Sequence, residues 1–279
     1  MTLPSLQRFS KAIVGQMMAG ADVNIFATHV IGQYPVGQGC QGAAGEIYRY
    51  CSFDGPTAPG TIVGPTLANV AKSIQTSFPT ATPITVQAEY PILPNTIGSH
   101  YIEGAFASVT INEYAGGKIV IAAKSGAGFT YDIKGNTATG TPQAGNVRFQ
   151  LVQPLQVTLG TNSSIIIAPN MYNDLQAASV TTNWQVSGVT MSQTGQNSTA
   201  NNYFGWIQTK GLVGALEDAT TAIVNGQGVA LSKVNNGYYA AYGATGTASG
   251  GVQGLPAIGQ SVQANGSTGG IGVIYLILE

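Results

Sequence analysis

Two hydrophobic periods run through this chain. Near the amino terminus Leu3, Leu6, Phe9, Ile13 and Met17 recur at three- to four-residue spacing, and Leu67, Val70, Ala71, Ile74 and Phe78 do so again after Pro65, with Thr66 placed to cap the start. That is the period of an amphipathic helix and predicts one or two short helices, each with a face to bury. The face belongs on the protein's own sheet or, for an arm over residues 1–20, on a neighbouring subunit. Between the two, Ile47, Arg49, Cys51 and Phe53 alternate with Tyr48, Tyr50 and Ser52, which predicts a strand with aromatic rings on one face. Asp54-Gly55-Pro56 ends it with turn chemistry. The prolines from Pro79 to Pro94 exclude a long helix or a central strand, because proline lacks the donor that both ladders need. A boundary falls near residue 95.

Beyond it the period shortens to two. Short strands are expected at Ala105–Ile111, Lys118–Ala122, Phe129–Ile133, Asn146–Leu151, Leu155–Leu159 and Ser164–Ala168, punctuated by Gly116-Gly117, Ser125-Gly126-Ala127-Gly128 and Gly135-Asn136. After a polar loop at Ser192–Asn202, further strands are expected at Tyr203–Lys210, Leu212–Ala215, Ala222–Val224, Val229–Ser232, Tyr238–Ala241 and Ile271–Leu278. Strands without crossover helices argue against a parallel α/β sheet. The expected fold is mainly β, with β-sandwich or β-barrel domains and one or two short N-terminal helices. The expected division is 1–95 as an arm and mixed segment, 96–185 as one β domain and 186–279 as a C-terminal β domain. The final run, Ile271 to Leu278, is so apolar that it belongs in a sheet covered on both faces or at a subunit contact; left open it would aggregate.

Composition turns this fold into a hypothesis about use. Only 8% of the residues are charged, against about 25% in an ordinary soluble domain. Charge keeps freely diffusing proteins apart, so this exterior is suited to being covered by neighbours. The ten basic residues are scattered singly, with no cluster to neutralise several phosphates, and direct nucleic-acid binding is not expected. The amino terminus has no basic segment leading into an apolar core, and no apolar run reaches the ~18 residues of a membrane span, so neither a leader nor a membrane partner is expected.

Little catalytic chemistry is on offer. His29 and His100 stand apart from any nucleophile or carboxylate motif. Cys40 and Cys51 fit no common zinc or redox spacing; they read as buried thiols or as a disulfide, and a site combining them with the two histidines is irregular. Glu113, Asp132, Glu217 and Asp218 could supply a glycosidase pair, but Glu217-Asp218 fits a solvated turn better. Gly126-Ala127-Gly128 opens a strand, not a helix, so no phosphate cradle follows. No enzyme activity, cofactor or metal is expected. The plentiful amides and hydroxyls, among them Gln208, Thr209, Gln227, Asn235 and Asn236, can instead be buried at an interface at modest desolvation cost.

Several spaced segments carry a family likeness. They are Gly45–Phe53, Asn112–Gly117, Gly126–Asn136, Pro154-Leu155, Pro169–Tyr172, Tyr203–Gly211 and Ile258–Gln260 before the apolar terminal strand, the most specific being Trp206-Ile207-Gln208-Thr209 with its flanking glycines. Together they make the chain resemble virion structural proteins of tailed bacteriophages, of the head decoration or capsid cement type. The resemblance implies a non-enzymatic protein on the outer surface of an icosahedral head, assembled in the host cytoplasm. Its implied partners are the major capsid protein and other copies of itself, with trimers the common state, and its role is to bridge capsomers against internal DNA pressure. A sequence pI of about 6.1 suits that outer position. The contacts expected on this reading are Leu3, Leu6 and Phe9 in the arm, Tyr48 and Tyr50 in the early strand, and Tyr203 with Trp206, since aromatics concentrate at the energetic centres of interfaces. Trp206 is equally suited to a core. A tail or fibre protein that stacks sugars on Trp184, Trp206 and the tyrosines is the alternative, and a major capsid subunit lacks support because no long spine helix is present.

Overall fold

The computed structural model describes residues 18–19, 23–65, 72–74, 94–106, 109–139, 146–160, 163–179, 185–194, 203–220, 222–242 and 257–278. Every regular element among them is a strand. In chain order these are β1 (Met18–Ala19), β2 (Gly39–Gln41), β3 (Ile47–Phe53), β4 (Ile62–Pro65), β5 (Lys72–Ile74), β6 (Tyr101–Ala105), β7 (Lys118–Ala123), β8 (Thr130–Asn136), β9 (Asn146–Leu151), β10 (Ser164–Ala168), β11 (Leu175–Ala177), β12 (Gly188–Thr190), β13 (Tyr203–Leu216), β14 (Gly228–Leu231), β15 (Tyr239–Ala241), β16 (Gly259–Gln263) and β17 (Ile271–Ile277).

The mainly β expectation holds, and the helical one does not hold where it can be read. Lys72–Ile74 lies inside the expected helix over 67–78, yet it is a strand, antiparallel to β10 with Ile74 opposite Ile165. A free edge on β10 takes up the backbone donors and acceptors of this short segment, and that pairing overrides a local period that three residues cannot enforce. The first expected helix, over residues 3–17, lies outside the described residues. Among the described residues no helix is long and apolar enough to cross a membrane.

The chain forms two compact units: residues 1–68 with 171–279, and residues 69–170. This is a different division from three consecutive stretches with boundaries near 95 and 185. The reason is that β3, from the early segment, pairs along seven positions with β13, from the late one, so residues far apart in sequence build one unit.

In the first unit β3, β11, β4, β12 and β13 close on themselves as a five-strand barrel, because β13 pairs with β12 on one side and β3 on the other. At 14 residues β13 is long enough to serve two assemblies. Its register shifts between Gln208 and Lys210, and Gly211 adopts a φ of 97°, a conformation that favours glycine. The Gln208 side chain, fully buried, donates to the carbonyls of Lys210 and Leu212 and so holds the bulge; it is a structural amide and not an interface group. Beyond the bulge, Lys210 to Leu216 pair with β17, followed by β16, β14 and β15. A bridge between Glu217 and Tyr239 returns the last of these to the end of β13. Val213, Ala215, Val229, Leu231, Tyr239, Ile274 and Leu276 fill this second enclosure.

The second unit is a six-stranded sheet in the order β5-β10-β7-β8-β9-β6, over a core that includes Ile102, Tyr114, Ile119, Ile121, Phe149, Ile165 and Ile167. Glu103 and Arg148 stand directly opposite each other on β6 and β9 and form an ion pair at 2.8 Å, with Glu103 buried and Arg148 partly so.

Candidate interaction surfaces

Trp206 and Tyr50 are register partners on β13 and β3, and their rings meet at 5.2 Å. Tyr34 lies edge-on against Tyr50 at 5.1 Å and tilted against Trp206 at 5.5 Å, and Phe204 stacks on Tyr50 with an interplanar angle of 11°. The Tyr50 hydroxyl bonds His29 Nδ1 at 3.0 Å and accepts the Gln33 backbone N–H at 3.1 Å. Burial pushes the Tyr50 hydroxyl up to about 12 and lowers the His29 imidazole, so the phenol stays protonated and donates to a neutral ring. His29 also exchanges both backbone hydrogen bonds with Phe204, at 2.9 Å each. Gly32 lets the chain pass close by: a Cβ there would sit 3.2 Å from the Phe204 ring.

The aromatic cluster is therefore a fastening. Tyr48, Tyr50 and Trp206 are all buried, so they do not present their rings to a partner. What they hold down is the segment 23–38, whose outward side chains Phe26, Val30 and Ile31 are 62%, 69% and 75% exposed. Tyr203 opens β13 opposite Phe53, and nothing further is described of its side chain. Leu3, Leu6 and Phe9 lie outside the described residues. The legible signal for the segment was the largely apolar run Val23-Asn24-Ile25-Phe26-Ala27-Thr28-His29-Val30-Ile31, which Asn24 turns by accepting the Phe26 N–H at 3.1 Å and the Ala27 N–H at 3.0 Å.

A second apolar surface lies on the outer face of β13, β17 and β16. On β17, Gly272, Ile274 and Leu276 face inward and are buried, while Ile271, Tyr275 and Ile277 face out. Leu212 stands beside Tyr275 in register, and Val262 on β16 extends the patch. Thus the apolar terminal run is covered on one face only, and of the two expected placements the sheet covered on both faces is not the one found.

The carboxylates are taken up elsewhere. Glu217 and Asp218 are buried, not in a solvated turn. The Glu217 carboxylate accepts the Asn265 N–H at 2.6 Å, the Gly266 N–H at 3.1 Å and the Tyr239 hydroxyl at 3.0 Å, which ties the 264–270 loop to the end of β13. Asp218 accepts from the Ser232 hydroxyl and from the Thr220 N–H. Asp132 pairs with Lys118, and Glu113 accepts the Thr110 N–H. Cys40 and Cys51 are free, buried thiols: Cys40 lies opposite Tyr48, while the Cys51 thiol donates to the Gly205 carbonyl, so the disulfide alternative is removed. Among the described residues no group of three or more His, Cys, Asp or Glu gathers to hold a metal.

Compared with known proteins, the chain matches no family model, no curated protein and no solved structure. The class it can be given is that of its own geometry: a mainly β protein whose described residues form a closed five-strand barrel and carry two exposed apolar surfaces.

Proposed function

We propose that this protein is a non-enzymatic structural subunit of a tailed-bacteriophage head, a decoration or cement protein that binds the outer surface of the shell and bridges neighbouring capsomers. The observation that carries this reading is the fastened segment 23–38, which presents Phe26, Val30 and Ile31 to solvent from a surface poor in charge. Apolar side chains scattered singly need no explanation, but three on one anchored segment form a contact site. Each contact is weak, and the lattice supplies strength by holding many of them at high effective concentration. The major capsid protein is the partner on this reading, and no nucleic acid or membrane takes part. A sugar-stacking role loses Tyr50 and Trp206 as platforms because both rings are closed in, and Trp184 lies outside the described residues.

Purified protein mixed with shells that lack it tests the proposal by cryo-electron microscopy. Extra density at defined lattice positions is expected, and the paired substitution Phe26→Asp with Ile31→Asp is expected to abolish it while the circular dichroism spectrum stays unchanged. Shells that remain bare with folded wild-type protein would remove the cement assignment.

A further inference from the structure

The outer face of β13, β17 and β16 has a relief that fits itself. Along the strands the outward rungs are Lys210–Ile277, Leu212–Tyr275, Gly214–Val273 and Leu216–Ile271. A bulky rung, Leu212–Tyr275, thus stands directly beside a lower one, Gly214–Val273, which the Ile271 side chain borders: a Cβ at Gly214 would sit 3.0 Å from its Cγ2. Leu212, Tyr275 and Ile277 are 55%, 42% and 58% exposed, and with Ile271 and Val262 they leave roughly 400 Å² of side chain open, as large as the main apolar patch of a typical soluble monomer. A stable contact buries about 800 Å² on each partner, a little over half of it apolar, so this patch with its rim of Gln260, Gln263 and Gly214 is the size of one partner's share.

We infer that this face is occupied by a second copy of the same chain, in an isologous dimer. The axis lies between the two copies, parallel to the sheets and across the strands, midway between the bulky and lower rungs. Rotation about it sets Leu212 over the partner copy's Gly214 and Tyr275 over the partner copy's Val273, with the same contacts returned, as twofold symmetry requires. Ile277 then covers Ile271. Charge selects this axis over the other twofold: an axis along the strands would set ridge on ridge and bring the two Lys210 ends together, whereas the crosswise axis sends them to opposite ends of the interface. Among the described residues of the face Lys210 is the one charged group, with the Gln260 and Gln263 amides at the rim, whereas a second copy supplies the complementary relief. The result is a dimer, not the trimer that the family likeness implies. The inference adds a partner to the assembly reading and stands on different residues from it.

Sedimentation velocity over a concentration series tests it, with melting temperature as the check on folding. Wild-type protein is expected to show a monomer–dimer equilibrium, and Leu212→Glu is expected to be a folded monomer. Val273→Phe is the sharper variant, because it adds apolar surface but fills the notch. It is expected to weaken dimerisation about tenfold or more, where simple stickiness would strengthen it. Wild-type protein that is monomeric at its solubility limit, an oligomer indifferent to Leu212→Glu, or tighter association of Val273→Phe would each overturn the inference. Shell binding reads the two proposals separately: the Phe26 and Ile31 variants still dimerise, whereas Leu212→Glu still reaches the shell as a monomer with lower occupancy.

Discussion

The hydroxyl of Tyr50 donates to Nδ1 of His29 across 3.0 Å, and this bond joins the barrel to the segment that carries Phe26, Val30 and Ile31. With the neutral Nδ1 as acceptor the hydroxyl hydrogen has a partner, and the same oxygen still takes the Gln33 N–H. A protonated imidazole has no lone pair to accept with.

Acid therefore loosens the segment. His29 has its folded pKa lowered by burial, so its neutral form is the native one, and its contribution to stability is complete above the unfolded value of about 6.5. That contribution is lost as pH falls from there through the folded value. Amide hydrogen exchange, corrected for intrinsic rates, should show protection of residues 27–34 falling below pH 6.5 while the barrel strands keep theirs. Tyr50→Phe should give the loosened pattern already at pH 7, since it leaves His29 and the Gln33 N–H unpaired at a cost of about 1–3 kcal/mol. A pattern in Tyr50→Phe identical to wild type would contradict the fastening role.

Trp206 brings two opposed effects to one residue. Its ring is buried against Tyr50 and Tyr34, but its Nε1–H has no hydrogen-bond partner among the described residues. Replacement by alanine should cost about 3–5 kcal/mol through the cavity it opens. Phenylalanine loses part of that packing but also removes a buried donor, whose burial costs about 1–3 kcal/mol. Trp206→Phe should therefore lie within about 1.5 kcal/mol of wild type in urea unfolding. A cost equal to that of alanine would mean that the indole N–H is paired in solution.

How much of this was legible beforehand differs from element to element. The alternation over Ile47–Phe53 identified β3, but both of its faces are buried at Tyr50, Cys51 and Phe53, because a barrel wall overlaid by another segment has no solvent side. Period alone therefore placed Tyr48 and Tyr50 on a face without saying that the face is covered. Residues 203–216 looked like two strands broken at Gly211, yet the buried Gln208 amide bridges the bulge and keeps them one. The position of Glu217-Asp218 just after Leu216 suits a solvated turn, yet both side chains are buried. The Asn265 and Gly266 N–H groups that satisfy Glu217 come from a loop whose approach depends on the tertiary fold, and the Ser232 hydroxyl that satisfies Asp218 lies 14 residues on. The terminal strand was legible as a strand, but composition left open whether both of its faces are covered within the chain, and Ile271, Tyr275 and Ile277 are exposed.

The pair Glu103–Arg148 should behave asymmetrically. Arg148 donates through Nε at 3.0 Å and Nη2 at 2.8 Å to the same carboxylate oxygen of Glu103, with Asn146 on the other oxygen at 3.3 Å. Arg148→Met leaves a buried carboxylate without its cation and should cost about 3–5 kcal/mol. The double change Glu103→Leu with Arg148→Met removes both charges and should recover most of that loss, as chemical denaturation of the four variants would measure. Equal destabilisation by the double and single variants would show that the pair sustains the geometry of β6 and β9 rather than balancing its own charge.

Glu217 offers the most direct test of how the second enclosure closes. Its carboxylate accepts three hydrogen bonds, from the Tyr239 hydroxyl and from the Asn265 and Gly266 N–H groups, and it donates none. Glutamine keeps the shape but turns one oxygen into an NH₂ donor facing donors, so Glu217→Gln should lose at least one bond and leave a buried group unsatisfied, at a cost of about 2–3 kcal/mol. The neighbouring Asp218 gives the acid dependence of the same corner. Burial alone would raise its pKa, but hydrogen bonds from Ser232, Thr220 and Asn235 outweigh burial and hold it below the usual 3.8. Its contribution is thus present above that value and disappears as pH falls through the lower folded one. Thermal melts between pH 7 and pH 3 should show wild-type stability declining at the acid end. Asp218→Asn should begin less stable and decline less, because its part of the slope is gone. A parallel decline in both proteins would assign the acid sensitivity to other carboxylates.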